Sequence, residues 1–468
     1  MYVYFTNLGC KLNQAEIESL AREFLAAGHS VAGSLEEADL HVVNSCTVTH
    51  VAARGSRKAA GRGRRAGLPL RTVLTGCWVT AEPEEAARLA GVDLVVANPE
   101  KDRLLEHVHR AFPELALPEV PVPYVPLPFG NTRALLKVED GCNMRCAFCI
   151  IPSTRGRQRS RPPAELVEEL KGLVRAGYRE IVVTGVQISA YRSGADCLHE
   201  LTRALLAALP SEEDGGVRLR LTSIAPWDLP RDRERLLGLW TDRRLCRHLH
   251  LSLQSGSATV LRRMRRPYTA EGYLRLLERV RAAIPGVAIT TDVIAGFPGE
   301  TAAEHAESLA TVEAAGFAKV HVFPFSARPG TEAADMPGQI GPEEKKARVG
   351  QLLEAAARAE AAFRRAHLGQ RATVLWEKPR DGMGHGLTDN YLRVLCRDGA
   401  ALWNRWSEVE LVGLAEEGMV GEIPGGPSAP DSIRTLRTPS EVSGKLPEPS
   451  GLHPIESDIV RSARTPAE

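Results

Sequence analysis

The alternation of apolar and polar positions divides the chain into stretches of different period. Over residues 1–111, short apolar runs alternate with segments whose apolar residues recur every three or four positions. Met1–Phe5, Ala38–Val43, Thr72–Thr75 and Asp93–Ala97 have the length and residue types of strands. Helices are expected between them. The first carries Ile17, Leu20 and Phe24 on one face, with Asn13 and Glu16 placed as a capping box and Gly28 at its end. Further helices are expected at about 49–66, at about 82–90 and after Pro99. Strands alternating with helices predict a parallel sheet, whose strands share one carboxyl edge where ligands bind.

Residues 134–325 repeat the strand–helix unit, with candidate strands Ala134–Val138, Glu180–Thr184, Arg218–Thr222, His248–Leu253, Ala288–Val293 and Lys319–Phe323. Pro163–Ala176 is one of the intervening helical patterns. Such repetition predicts a partial (β/α)6 barrel with its active groups at the carboxyl ends of the strands. Pro342–His367, rich in Ala, Glu and Arg, reads as a helix leading away from that barrel, and the second unit spans 134–367. Residues 369–424 turn β-prone, at Arg371–Trp376, Tyr391–Cys396 and Glu408–Leu411, with turns at Asp381-Gly382 and Asp398-Gly399. This is the size of a small β-barrel, an architecture that often binds RNA. Proline-rich 113–133 reads as a semi-rigid linker after an N-terminal unit of 1–112, and 425–468 as a disordered tail. The fold class is therefore α/β: an N-terminal parallel-sheet domain, a partial barrel and a small C-terminal β-barrel.

Composition narrows the setting. No apolar run reaches about 18 residues, so no membrane span is expected. The N-terminus enters a strand directly, without the basic and apolar regions of a secretory leader. A reducing cytoplasm is the expected location. The net charge is only +1, yet basic residues cluster at Arg54–Arg71, at Arg155, Arg157, Arg159 and Arg161, and at Arg262, Arg263, Arg265 and Arg266. Local basic runs in a neutral chain point to a phosphate-rich partner, against the ordinary reading of solvated faces.

Thiols carry the chemistry. Cys142-Asn-Met-Arg-Cys146-Ala-Phe-Cys149 places three cysteines in a C-x3-C-x2-C spacing after the first barrel strand. Thiolates select soft metals, and a 4Fe-4S cube normally takes four of them. Three would leave one iron open for a small molecule. A zinc knuckle or packed thiols is the alternative, though no second C-x2-C pair or nearby His follows. Upstream, Cys10, Cys46 and Cys77 each lie just beyond the carboxyl end of a predicted strand, so the topology gathers them at one edge. They read as a second three-thiol site; buried free cysteines are the alternative. Cys197, Cys246 and Cys396 share no motif and read as structural.

With both cysteine sets in view, the chain resembles the methylthiotransferase family of radical S-adenosylmethionine (SAM) enzymes from residue 1 to about 424. Gly9-Cys10-Lys-Leu-Asn13-Gln, Asp140-Gly-Cys142-Asn, Arg155-Gly-Arg-Gln-Arg-Ser-Arg161 and Gly386-Leu-Thr-Asp-Asn390-Tyr look most like the branch acting on N6-threonylcarbamoyladenosine (t6A) in tRNA. Sister branches act on isopentenyladenosine or on a ribosomal protein. Trp78-Val79-Thr80 and Ser189 depart from the family's usual residues. The resemblance implies a radical SAM barrel, a C-terminal TRAM-type RNA-binding barrel, SAM and two 4Fe-4S clusters. One cluster would sit on Cys142, Cys146 and Cys149 and cleave SAM; the other, on Cys10, Cys46 and Cys77, would deliver sulfur to C2 of the adenine. Phe148, Gly185, Gln187, Gln254, Asp292 and Gly296, beside the cluster loop or at strand ends, are the candidate SAM contacts. Implied partners are the tRNA anticodon stem-loop, an electron donor and a sulfur donor. Competing readings are a radical SAM enzyme whose second cluster only transfers electrons, and a non-catalytic, cluster- or zinc-holding RNA-binding protein.

Overall fold

The computed structural model describes residues 1–116, 132–211, 216–229 and 233–424; most of the predicted linker and the whole tail lie outside the described residues. The N-terminal sheet runs Ser30–Val31, Tyr2–Asn7, Leu40–Ser45, Arg71–Gly76, Leu94–Ala97, every pair parallel. The four expected strands are present; Ser30–Val31, too short to show a period, adds an edge. The central strand Leu40–Ser45 is buried along its whole length, as a parallel strand covered on both faces must be. Leu40 and Val42 join one core with Ile17, Phe24 and Leu104, while Val43 joins a second with Leu74 and Trp78.

Local expectations need correction. The first helix, Lys11–Ala26, is preceded by Cys10 and has no side-chain cap. Asn13 and Glu16 are not a capping box: both are buried within the helix. A polar pair three residues apart also marks one face of a helix, and here that second meaning applies. The helix expected at 49–66 breaks at Gly61 into His50–Ala60 and Arg62–Arg65. The one expected at 82–90 is Pro83–Arg88, behind a separate turn of helix at Cys77–Ala81.

The six barrel strands are Arg133–Lys137, Glu180–Thr184, Arg218–Leu221, His248–His250, Ala288–Ala295 and Lys319–Pro324. They form two three-stranded parallel sheets joined by single bridges, Leu219 to Leu245 and Ile224 to Leu251. Outward-facing Leu136, Ile181, Val183 and Leu219 pack with Leu166, Leu170 and Leu201 of the surrounding helices. Inward-facing Leu135 and Val182 pack instead on Ala15. The first helix of the N-terminal unit thus lies against the inner wall of the barrel. Pro342–Arg365 does not lead away: Leu352, Ala355 and Ala356 enter the barrel core with Phe317 and Val320, and Glu360 pairs with Lys319 at 3.2 Å. Its charged composition belongs to its outer face. Among the described residues no helix is long and apolar enough to cross a membrane.

Arg371–Trp376, Gly384–Thr388, Arg393–Cys396, Gly418–Glu422 and Trp406–Ala415 close, in that order, into the C-terminal barrel around Trp376, Val394, Val409 and Met419. It caps the amino ends of the large barrel's strands. There Glu180, fully buried, accepts from Arg218 Nε at 2.5 Å and Arg220 Nε at 2.7 Å. The same guanidiniums donate across the seam to the carbonyls of Leu387 at 2.8 Å, Thr388 at 3.1 Å and Asp389 at 2.9 Å. Burial alone would raise the Glu180 carboxyl; Arg218 and Arg220 reverse that and hold it well below the usual carboxylate range. Replacing Glu180 with Gln leaves two buried guanidiniums without their counter-charge, a loss of about 3–5 kcal/mol. The thermal unfolding midpoint should fall accordingly; an unchanged midpoint would contradict this account of the seam.

Candidate functional site

Cys10, Cys46 and Cys77 follow three adjacent strands of the N-terminal sheet, as their placement predicts. Gly9, at φ +102°, lets its loop pass against Cys46: a Cβ there would lie 2.7 Å from the Cys46 sulfur. The Cys46 backbone N–H donates to Ser56 Oγ at 2.9 Å, and the Ser56 hydroxyl returns a bond to its carbonyl at 3.0 Å. Cys10 Sγ lies 3.7 Å from Asn13 Oδ1, and Asn98 Nδ2 lies 3.6 Å from Cys77 Sγ.

Cys142, Cys146 and Cys149 lie on the loop after Glu139–Asp140, at the carboxyl end of the first barrel strand, and are half-buried. Gly141, at φ +73°, lets that loop fold back: a Cβ would collide with the backbone of Gly156 and Arg157. The Cys142 N–H then reaches the Gly156 carbonyl at 3.1 Å, and the Met144 N–H points to Cys142 Sγ at 3.4 Å.

Burial, with Cys10 adding to it, pushes the Cys46 thiol up to about 12; burial, with Cys146 adding to it, pushes Cys149 up to about 12 as well. A metal or cluster entering either set must displace thiol protons. Among the described residues no three His, Cys, Asp or Glu side chains already converge in a metal-holding arrangement. The donor chemistry nevertheless fits a soft centre: each set offers three thiols without a carboxylate or imidazole ligand.

A cavity of 280 Å³ opens directly on Cys142, lined also by Asn143, Met144, Gln187, Trp227 and Asp228. Of the candidate SAM contacts, Gln187 alone lines it; its Nε2 donates to Asp228 Oδ2 at 2.7 Å. Gly185 stands behind, where a Cβ would come within 2.8 Å of the Glu139 side chain. Phe148 packs edge-on to Phe297, centroids 6.5 Å apart, with the Arg266 guanidinium 5.4 Å from its ring centroid. Gly296, at φ +71°, donates its N–H to buried Glu300 at 2.6 Å. Gln254 bonds backbone to backbone with Asp292 at 2.8 Å, and the Asp292 carboxylate takes His250 Nε2 at 3.1 Å. These last three positions do not line the cavity. Sequence reasoning passed over Asp228, Glu300, Glu139 and Arg155. Arg155 reads in the sequence only as one of a basic run; its burial, and that of Glu139 and Glu300, single them out, while half-buried Asp228 is marked by its place in the cavity wall.

Comparison with known proteins decides the family. The Radical SAM superfamily pattern matches residues 136–312, and that of the Uncharacterized protein family UPF0004 matches residues 2–97. The chain is 34% identical over 410 residues to a threonylcarbamoyladenosine tRNA methylthiotransferase, MtaB, of Bacillus subtilis, covering 84% of this chain and 90% of that protein. The chain belongs to the radical SAM tRNA methylthiotransferases. It is 36% identical over 421 residues to the Chlamydia pneumoniae protein of the same name, covering 89% of this chain and 96% of that one. A tRNA-2-methylthio-N(6)-dimethylallyladenosine synthase of Cereibacter sphaeroides is 35% identical over 440 residues, with 90% and 98% covered. Among solved structures, the radical SAM methyltransferase TsrM of Kitasatospora setae superposes with a TM-score of 0.53 at 17% identity, over 71% of this chain and 75% of that one, which speaks to the fold alone. The family works with SAM and 4Fe-4S clusters.

In this methylthiotransferase Glu139 is a buried carboxyl beside the cluster loop. Its Oε1 accepts the Gln187 N–H at 2.5 Å, while among the described residues its Oε2 has no partner. Burial raises its pKa from the ordinary 4.5 to about 7. The folded protein therefore holds a proton that the unfolded chain releases between pH 4.5 and 7. Relative to a Glu139→Gln variant, the wild type should lose stability as pH rises through that window and differ by a constant amount above it. Thermal melts of both proteins from pH 5 to pH 8 check this; parallel curves would show that Glu139 is already ionised at pH 5.

Proposed function

We propose that this enzyme converts t6A to its 2-methylthio derivative at position 37 of tRNA, next to the anticodon. In this reading Cys142, Cys146 and Cys149 hold the cluster that binds SAM, and Cys10, Cys46 and Cys77 hold an auxiliary cluster that delivers sulfur. The basic runs and the C-terminal barrel hold the anticodon stem-loop by phosphate contacts. An electron donor and a sulfur donor complete the cycle.

The observation that carries the choice of t6A is Lys11. It follows Cys10 directly, is exposed, and among the described residues has no ion-pair partner. Its ammonium lies 5.6 Å from the centroid of the Tyr391 ring. Neighbouring Lys101, Lys137 and Arg155 are all paired with carboxylates. A threonylcarbamoyl group brings a carboxylate that such a cation complements; a dimethylallyl group is apolar and leaves it unsatisfied.

When bound, SAM and the clusters supply the reducing electron, the radical chemistry and the sulfur. The chain holds the two thiol sets across one seam, so that both reactive centres can face a single adenine carbon. Gln187 and Asp228 present polar groups to the cavity at Cys142, and Trp227 and Met144 add apolar wall to it.

The test is methylthio product, measured by mass spectrometry, from anaerobically reconstituted enzyme with t6A- or dimethylallyladenosine-bearing anticodon stem-loops. Product is expected from the first. Lys11→Met should lower kcat/KM for t6A by about 10- to 100-fold, the worth of one charge-assisted hydrogen bond. Equal turnover of both stem-loops by the wild type would refute the substrate assignment. Cys46→Ala should remove about half the iron, one cube of two, and abolish methylthio product while deoxyadenosine is still released. Wild-type product from that variant would rule out the sulfur-delivery role.

A further inference from the structure

We propose that the gap between the two thiol sets is set by a three-point clamp, in which Arg155, Asn98 and Arg328 are positioning residues. The inference rests on the assignment of the two sets to two clusters. Its basis is that the loop of each N-terminal cysteine is tied to the barrel by a separate contact.

Two of the ties converge on the short helix Ile151–Arg155, which starts two residues after Cys149. The Arg155 side chain is only 1% exposed. Its Nη2 donates to Asn13 Oδ1 at 2.5 Å, the same oxygen that faces the Cys10 sulfur. Its Nη1 donates to Glu16 Oε1 at 2.8 Å and to Asp140 Oδ1 at 3.0 Å, and that Asp140 oxygen also accepts the Gly141 N–H at 2.7 Å. One guanidinium therefore links Asn13, which faces Cys10, to Asp140, two residues before Cys142. Beside it, Asn98 Nδ2 donates to the Thr154 carbonyl at 2.9 Å while facing the Cys77 sulfur. The third tie lies beyond the carboxyl end of the last barrel strand, Lys319–Pro324. Arg328, whose side chain is 3% exposed, donates to Thr47 Oγ1 at 2.5 Å, one residue after Cys46. The His50 N–H adds a bond to Ser326 Oγ at 3.3 Å.

The Arg155 contacts leave their carboxylates with other cations, so what they add is spacing. Without Arg155, Glu16 keeps Lys101 at 2.7 Å and Lys137 at 3.1 Å, and Asp140 keeps Lys137 at 3.0 Å. No buried carboxylate is left bare. What disappears is the direct link from Asn13 to Asp140. A bound adenine must meet both reactive centres, and a displacement of about 1 Å can cost about 100-fold in rate.

The experiment compares wild type, Arg155→Met and Arg155→Lys as reconstituted, full-length enzymes. Iron is counted, and deoxyadenosine and methylthio product are measured in the same reaction. The magnetic interaction between the two reduced clusters is read by electron paramagnetic resonance. Arg155→Met should keep its iron, lower methylthio product by about 100-fold, raise the deoxyadenosine released per product, and weaken or broaden the magnetic interaction. Arg155→Lys should recover part of the product, since one ammonium reaches Glu16 or Asp140 but does not span to Asn13 as a fork does. A residue that served stability alone would lower iron, deoxyadenosine and product together and leave their ratio unchanged, and that result overturns the proposal. Wild-type ratio and magnetic interaction in Arg155→Met overturn it as well. Wild-type protein that binds fewer than two clusters would instead refute the cluster assignment on which the clamp depends.

Discussion

A carboxylate taken out of water has to be neutralised where it stands, and the way Glu16 is neutralised decides how the halves of this protein meet. Lys101, from its own unit, lies 2.7 Å away; Lys137 and Arg155, from the barrel, lie 3.1 and 2.8 Å away. Burial alone would raise the Glu16 carboxyl, and these cations together hold it well below its ordinary range. Desolvating such a group costs several kcal/mol unless opposite charges compensate it. Separating the two units would take Lys137 and Arg155 away from Glu16. The first helix, which carries Glu16, also packs Ala15 against Leu135 and Val182. The open wall of the barrel and the N-terminal sheet therefore complete one another.

The same device recurs at the opposite end of the strands. Glu180 holds Arg218 and Arg220, and their remaining donors are spent on carbonyls of the C-terminal barrel. Tyr391 of that barrel stacks on His248, with ring centroids 4.3 Å apart. With the amino ends of the strands covered in this way, the carboxyl ends are left for chemistry, and both thiol sets lie there.

Architecture was legible in the sequence because it is written in periods. The six barrel strands and four of the five N-terminal strands fall where apolar runs of strand length occur. Thiol placement was legible because spacing and strand ends are linear features. What stayed hidden depends on three-dimensional neighbours. Asn13 and Glu16 match a helix-start pattern that carries no information about burial. Pro342–Arg365 looked detached because its alanines, which pack closely on the barrel, read as neutral. Arg155 is one of four alternating arginines, and nothing in that run distinguishes it, buried, from exposed Arg157 and Arg159 or half-buried Arg161. Of the SAM contacts read from strand ends, only Gln187 reaches the cavity, since a strand end fixes a residue's height in the barrel and not the direction of its side chain.

That contrast reflects a division of labour between residues that bind and residues that place. Cysteines supply ligands on loops, and loops have no fixed geometry of their own. Their positions come from groups a few residues away: Gly9 and Gly141 allow close passage, Ser56 anchors Cys46, and Asn13 and Asn98 face Cys10 and Cys77. Asn13 and Ser56 are polar and buried and Asn98 is half-buried, so their polar groups must find partners. For Asn13 and Asn98 those partners include Arg155 and the Thr154 carbonyl across the seam. The requirement that buried polar groups be satisfied, which acts on any fold, here holds two thiol sets from separate units at one shared face.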